Sequence, residues 1–568
     1  MSDSATAAST QLAELADRAW TVALDAEPLN ATALGERRYD ALLADNTPAG
    51  LAGTDRELRA LRRQTEALPA AELTDADRVN RSALVAFLDA ELATQVPLHA
   101  DWSVDPMVGP QVSLLTIGAY QPVGEPGQGA AALTRWRRME PYVDQHAANV
   151  RAALVDGRVP AAALVRKVVA QLDQLLARPV AESALLDLTR QERPQWTDAE
   201  RDRFDAELAV VVADRVLPAF ARLRTVLTAE VLPAARPDER AGMGHLPGGA
   251  VLYEQAVRGF GTAGLTAEEV HETGLREVAR VDEELVELGG RTLGTEGRPA
   301  TLDRLRTAGD LGFGSREEMV QAARRAVARA EAAVPDWFGL RHGRPCEVLP
   351  APAHEETDSP PAYYRSPAPD GSRPGQFLVN TLDPGSRPRF ALEATAYHEA
   401  VPGHHLQFDV GQRLTGLPAF RRHAVAPAYA EGWGLYAELL ADEMGLYSGD
   451  LDRLGARSLD ALRSCRLVVD SGLHALGWTR RQAIDFVLTH TTMAERAAAS
   501  EVDRYLAWPG QALSYKLGQL EITALRTEAR ARQGGRFDVR EFHDVVLAQG
   551  GLPLVTLRDV VTAALPQV

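Results

Sequence analysis

Cysteine is almost missing from the 568-residue chain: Cys346 and Cys465 are the only two. That number excludes a disulfide framework, and their spacing fits neither a zinc ribbon nor a Cys-x-x-Cys redox pair. No run of 18 apolar residues occurs, so no bilayer-spanning helix is expected and no membrane partner is read. The amino-terminal ten residues carry neither a basic stretch nor a continuous apolar one, so no secretory signal is read and the expected location is cytoplasmic. Positive charge is also short, 61 Lys and Arg against 78 Asp and Glu, a net of −17. Arginines such as Arg276 and Arg280 alternate with acids such as Glu268 and Glu284, as on a solvated helix face. Nucleic acid is therefore excluded as the main partner.

What is present suits a large globular protein, with 45% apolar and 24% charged residues. The reading is a mainly α fold, with an N-terminal helical region over 1–240 continuous with a metal-binding catalytic region over 241–568. Within 199–228, Phe204, Leu208, Val211, Val212, Val216, Phe220 and Leu223 fall on one helical stripe. Asp75, Thr197 and Thr266, each followed by acidic residues, read as helix N-caps. Two stretches interrupt the pattern. Residues 105–129, rich in Gly, Pro and Gln, are expected to form an ordered loop. Residues 349–388 are expected to hold one short strand, Gly375 to Thr381, bounded by Pro374 and Pro384.

Chemistry concentrates in one segment. His398, His404, His405 and His423 are four of the chain's thirteen histidines and fall within a short span. A His-Glu pair followed by another His on a helix is a zinc-peptidase pattern, in which two His at i and i+4 hold the metal and the Glu is the general base. Here position i+4 from His398 is Pro402, which offers no ligand. On an unbroken helix His404 would sit about 240° around from His398, and His405 would share its face but about 10.5 Å along the axis. Pro402 and Gly403 predict a kink or bulge that returns His404 to the face of His398. The expected ligands are His398 and His404, with His405 as the alternative second histidine or a residue behind the ligands.

The third ligand is sought in Ala430-Glu-Gly-Trp-Gly-Leu-Tyr-Ala-Glu438. Glu431 and Glu438 share a helical face, so Glu431 is assigned as ligand and Glu438 as the carboxylate orienting a ligand histidine. Pairing of both acids with Arg421 or Arg422 is the alternative. Gly432 and Gly434 predict a close approach to the histidine helix.

The two segments, His398-Glu-Ala-Val-Pro-Gly-His404 and Glu431-Gly-Trp-Gly-Leu-Tyr436, resemble the markers of DUF885, a family of bacterial metallopeptidase-like proteins. Further matches lie at Gly248 to Arg258, Glu269 to Gly274, Gly375 to Asn380, Asp470 to Trp478 and Arg504 to Gly518. The resemblance implies a largely helical fold related to the gluzincin peptidases. It also implies that Gly375 to Thr381 is an edge strand able to pair with an extended substrate.

The expected function is metal-dependent hydrolysis of an amide, with one Zn²⁺ held by His398, His404 and Glu431 and with Glu399 as general base. Another divalent transition metal would suit the same donors. Tyr515 is the candidate donor to the developing oxyanion, or a packed tyrosine with a wet hydroxyl. Asn380, His474, Arg504 and Lys516 are candidates for substrate contact, against the alternatives of a core histidine and structural ion pairs. His423 reads as a surface residue and His271 as a helix residue. The expected substrate is a short peptide; the alternatives are a small metabolite with an amide bond, or a helical binding protein whose metal is structural.

Overall fold

The computed structural model describes residues 3–94, 104–261, 264–307, 309–352, 356, 360–368, 371, 373–424 and 426–567, the side chains of 3–6 and 94 excepted. Met1 and Ser2, part of the stretch read for a targeting signal, lie outside these residues, as does part of 349–388. The fold is mainly α, with a single three-stranded sheet among the described residues.

Several helices begin where a side chain accepts from free N–H groups. Thr197 and Thr266 each form a reciprocal capping box with the glutamate three residues on, Glu200 and Glu269. Asp75 is not a cap: the Thr74 hydroxyl accepts from the Asp77 N–H at 3.1 Å, which makes Asp75 the first helical residue. The stripe over 199–228 is buried along its length. Its helix runs from Asp198 to Ala234 with wider π turns at Val212–Val216 and Leu227–Val231. Each π turn ends just before a Leu-Pro pair, Leu217-Pro218 and Leu232-Pro233, where a proline ring would otherwise crowd the carbonyl one turn back.

The expected loop over 105–129 is instead largely ordered into helix, with Pro110–Thr116, a tight turn at Ile117–Ala119, and a long helix starting at Pro126. Pro110 and Pro126 sit in the first turn of their helices, where a missing N–H costs nothing. The 349–388 region also differs from expectation. The sheet has three strands, β1 (Cys346–Pro350), β2 (Ala362–Arg365) and β3 (Gly375–Val379), in the order β1-β3-β2. β1 runs parallel to β3 with Cys346 opposite Gly375, and β2 runs antiparallel with Ala362 opposite Val379. Gly375 to Val379 is thus the central strand. Both its edges are hydrogen-bonded, so it has none left for a substrate backbone, which corrects the edge-strand expectation.

Two large apolar cores form. One lies wholly within 104–231 and includes Trp136, Met139, Val143, Leu172 and Phe220. The other includes Ala8, Leu12 and Leu15 of the first helix (Asp3–Ala26) and continues through Phe377, Tyr397, Trp433 and Ile522 to Leu565. Around it, Ala267–Leu293 packs along Asp450–His474, and Pro427–Glu443 packs along Leu513–Gln533.

Candidate metal centre

The helix Leu392–Glu399 stops just after His398, and a second helix, His404–Arg413, begins with the other histidine. Between them the Val401–Pro402 peptide is cis, and the His405 N–H bonds the Ala400 carbonyl at 3.0 Å, a reach of five residues rather than four. The extra residues swing His404 back toward His398: the two rings stand 4.7 Å apart, centre to centre, at 85°. The kink expected from Pro402 and Gly403 is present as a complete break.

The glutamate helix, Pro427–Glu443, supplies the third donor. Glu431 Oε2 lies 3.5 Å from His398 Nε2 and 3.6 Å from His404 Nε2. The three donor atoms all fall within 4.8 Å of one another. At 3.5 Å and more, these pairs are long for N–H···O bonds. Two donors about 2.1 Å from one zinc at a tetrahedral angle would stand about 3.4 Å apart, so the spacing suits a shared cation better than a direct bond. The donor set also fits chemically, two imidazoles and a carboxylate with Glu399 alongside.

Glycine makes the approach possible. A Cβ on Gly434 would lie 2.5–2.8 Å from three atoms of the His398 ring, so this helix face must be bare for the imidazole to lie on it. Gly432, expected to do the same, faces elsewhere: its Cβ would meet the Gly518 backbone at 2.4 Å, which lets Leu513–Gln533 pack close. Trp433, between them, donates from its indole N–H to the Pro402 carbonyl at 2.9 Å. The bulge that sets His404 is therefore tied to the helix that carries Glu431.

Behind the donors, His398 Nδ1 bonds Glu438 Oε1 at 2.8 Å, and Arg463 Nη2 approaches the same oxygen at 3.4 Å. Burial alone would lower the His398 pKa, but the carboxylates of Glu431 and Glu438 outweigh it and push it up to about 9. Burial raises Glu431, yet the two imidazoles hold it well below the usual carboxylate range. Glu399 is raised by burial, with His398, His404 and Arg463 opposing. Neither Glu431 nor Glu438 pairs with Arg421 or Arg422; Arg421 is buried elsewhere, donating to Asn80 and to the Gln549 carbonyl.

The remaining expected residues separate into two groups. Tyr515 stands in the first turn of Leu513–Gln533 with Arg466 4.3 Å above its ring, within electrostatic reach of Glu431. Burial and then Glu431 raise its pKa, which keeps the phenol protonated and able to donate. Arg504 is next to it but is held by Gln511 and Glu501. The others point away. Lys516 is buried, its Nζ on Asp460 at 2.6 Å and Glu277 at 3.1 Å, so it is a structural ion pair and not a substrate contact. His474 is a core residue, accepting from the Met243 N–H and bonded to the Tyr505 carbonyl. Asn380 is wholly buried, donating to the Glu356 carbonyl and accepting from the Leu382 N–H, so it is closed to substrate. His405 is turned from the donors, between the Arg344 carbonyl and the Tyr364 hydroxyl, and is neither ligand nor support for one.

His423, read as a surface residue, is half-buried: it stacks on Trp20 at 6.1 Å, and burial pushes it down to about 4. His271 is a helix residue, bonded to the Ser471 hydroxyl. Sequence reasoning missed Trp433, Arg463 and Arg466. The tryptophan stood inside the Glu431 segment and was the one signal available; the arginines look like any others on an amphipathic helix.

Residues 28–561 match the family model described as bacterial protein of unknown function (DUF885), so the chain belongs to that family. No curated protein matches it. Among solved structures it is similar to "the putative lipoprotein from Colwellia psychrerythraea", at 28% identity and a TM-score of 0.92, over 98% of this chain and 99% of that one. It shares its fold with "a putative lipoprotein of unknown function from Shewanella oneidensis", at 20% identity and a TM-score of 0.75, over 97% of this chain and 99% of the other.

Proposed function

We propose that this DUF885 protein is a zinc-dependent hydrolase that cleaves amide bonds in short peptides. The observation that carries the reading is the convergence of His398, His404 and Glu431 beside Glu399, a half-buried carboxylate with no hydrogen-bond partner among the described residues. Three protein donors leave one position of a tetrahedral ion open, as catalytic sites do, whereas structural zinc takes four. Bound there, zinc supplies a Lewis acid and lowers the pKa of water toward ~7.

The chain's own groups do the rest. Glu399 takes a proton from the attacking water and delivers it to the leaving amine, a task suited to a carboxylate whose pKa burial has raised. Tyr515 donates its phenol hydrogen to the oxygen where negative charge develops, and Arg466 over the ring fixes its orientation. Glu438 and Arg463 hold His398 so that Nε2, not Nδ1, faces the metal. We assign the protein to the cytoplasm on its two unpaired cysteines, Cys346 and Cys465; cell fractionation tests this independently of activity.

The deciding experiment combines metal analysis with a peptide-library digest read by mass spectrometry. One zinc per chain is expected, lost in His404→Ala and kept in His405→Ala. Glu399→Gln should keep the metal and lose turnover by about 10²–10⁴-fold. Full activity in Glu399→Gln removes the mechanism. Metal bound with no peptide cleaved points to amide bonds in small metabolites.

A further inference from the structure

Two arginines stand beside Tyr515 with one carboxylate between them. Arg466 Nη2 donates to Glu501 Oε2 at 3.2 Å, Arg504 Nη2 donates to the same oxygen at 3.0 Å, and the Tyr505 hydroxyl donates to it at 2.9 Å. Glu501 is the one acid that forms an ion pair with either arginine among the described residues. Burial alone would raise its pKa, but Arg466 and Arg504 hold it well below the usual carboxylate range, so it is ionised. The group as a whole therefore keeps one positive charge in excess.

The neighbouring acids are committed elsewhere. Asp470 lies within electrostatic reach of Arg504, but it accepts from the Tyr253 hydroxyl at 2.6 Å and the Gly510 N–H at 3.0 Å, and burial pushes it up to about 7. Glu431 is turned to the two histidines, and Glu438 to His398 and Arg463. At Arg504, burial and then Arg466 work against the charge.

Donors are left over as well. Arg466 is 7% exposed, and its Nη1 is buried with no hydrogen-bond partner. Arg504 uses Nη1 on Gln511 at 2.7 Å and Nη2 on Glu501, two of a guanidinium's five N–H groups. Its side chain keeps 15% exposure and that of Glu431 keeps 23%, so both can meet an entering molecule. Tyr515 joins the two places: Arg466 lies 4.3 Å over its ring, and Arg504 and Glu431 are both within its electrostatic reach. A buried cation without a counter-ion is costly, and an arriving carboxylate removes that cost through charge-assisted hydrogen bonds. A second cation would be repelled, and a neutral amide would leave the charge standing.

We propose that the substrate carries a carboxylate, and that Arg504, backed by the charge of Arg466, binds it next to Tyr515. This deepens the hydrolase reading and rests on it: the peptides cleaved are those with a carboxylate near the scissile amide, at a free C-terminus or on an acidic side chain. Titration calorimetry on the full Glu399→Gln chain tests binding without turnover, with three probes: Ala-Ala-Phe, its C-terminal amide, and the C-terminal amide of Ala-Glu-Phe. The free acid should bind at least about tenfold tighter than the neutral amide where the terminus is the ligand, and the glutamyl amide should do so where the side chain is. Arg504→Gln should abolish that preference. Arg504→Lys, which keeps the charge but loses the guanidinium fork, should weaken it without abolishing it. Urea unfolding confirms that each variant is folded. Equal binding of all three probes, no binding of any, or a preference unchanged in either folded variant, which would put the carboxylate on the metal, would overturn the assignment. Should the hydrolase reading alone fail, the wild type leaves every peptide uncut while the preference for a carboxylate remains. Should this assignment alone fail, free and amidated peptides are cut with the same KM.

Discussion

The core within 104–231 and the candidate metal centre are held together by different physics. The first is packed apolar surface: Trp136, Met139, Val143 and Phe220 are fully buried and come from two helical segments, Pro126–Val155 and Leu217–Val226. Its main buried ion, Arg135, is satisfied by the Gln121 and Thr32 side chains and backbone carbonyls. At the candidate metal centre the groups are imidazoles and carboxylates from three helical segments, Leu392–Glu399, His404–Arg413 and Pro427–Glu443, spaced by a bulge, a bare glycine and an indole bond. Apolar packing tolerates small shifts because dispersion and hydrophobic burial are broad in distance. A tetrahedral ion does not, since a few tenths of an ångström in a donor matter. The two regions should therefore fail separately.

The largest effect tests the apolar side. Trp136→Ala removes a fully buried ring and its 3.0 Å bond to the Leu185 carbonyl, at a cost of about 3–5 kcal/mol. Urea unfolding should register that loss while the folded fraction keeps its metal affinity. If metal affinity fell in parallel, the two regions would be one cooperative unit and the contrast would be wrong.

Next comes the opposite case, Gly434→Ala. The added Cβ enters the space of the His398 ring and must displace it. Metal affinity should drop about 10–100-fold, the scale of disturbing a ligand's orientation, with the unfolding midpoint of the metal-free protein little changed. An unchanged affinity would mean that the ring has room to move, and would remove glycine from the account of the site.

The same contrast explains what could be read from the sequence. The stripe from Phe204 to Leu223 was legible because helical periodicity is local and redundant, so the π turns did not obscure it. Strands β1 and β2 were not: Cys346–Pro350 ends in a proline, and Ala362–Arg365 is only four residues long, too short for alternation to register. At the site, the spacing of His398, His404 and Glu431 was legible because Pro402 and Gly403 announce a break. Which way a side chain turns was not. Tyr515 and Lys516 are neighbours, yet one lies near Glu431 and the other is buried against Asp460; only the packing of Leu513–Gln533 against two other helices decides that. Asn380 and His474 misled for the same reason: a buried polar group bonded to backbone has the same sequence as one waiting for substrate.

The smallest effect sharpens the comparison within the metal centre. Glu438→Gln keeps an oxygen to accept from His398 Nδ1 but removes the charge, so metal affinity should fall by about tenfold with no change in stability. The deficit should depend on pH. In the metal-free protein His398 is raised to about 9, and below that pH a proton competes with the metal for it. Removing the Glu438 charge lowers that pKa, so the variant suffers less proton competition as pH falls. The gap between wild type and Glu438→Gln should therefore be widest near pH 9 and shrink toward pH 6, as measured by competition with a chelator. A gap that stays constant across that range would show that the Glu438 charge does not set the His398 pKa, and no gap at all would show that Glu438 acts only by orienting the ring.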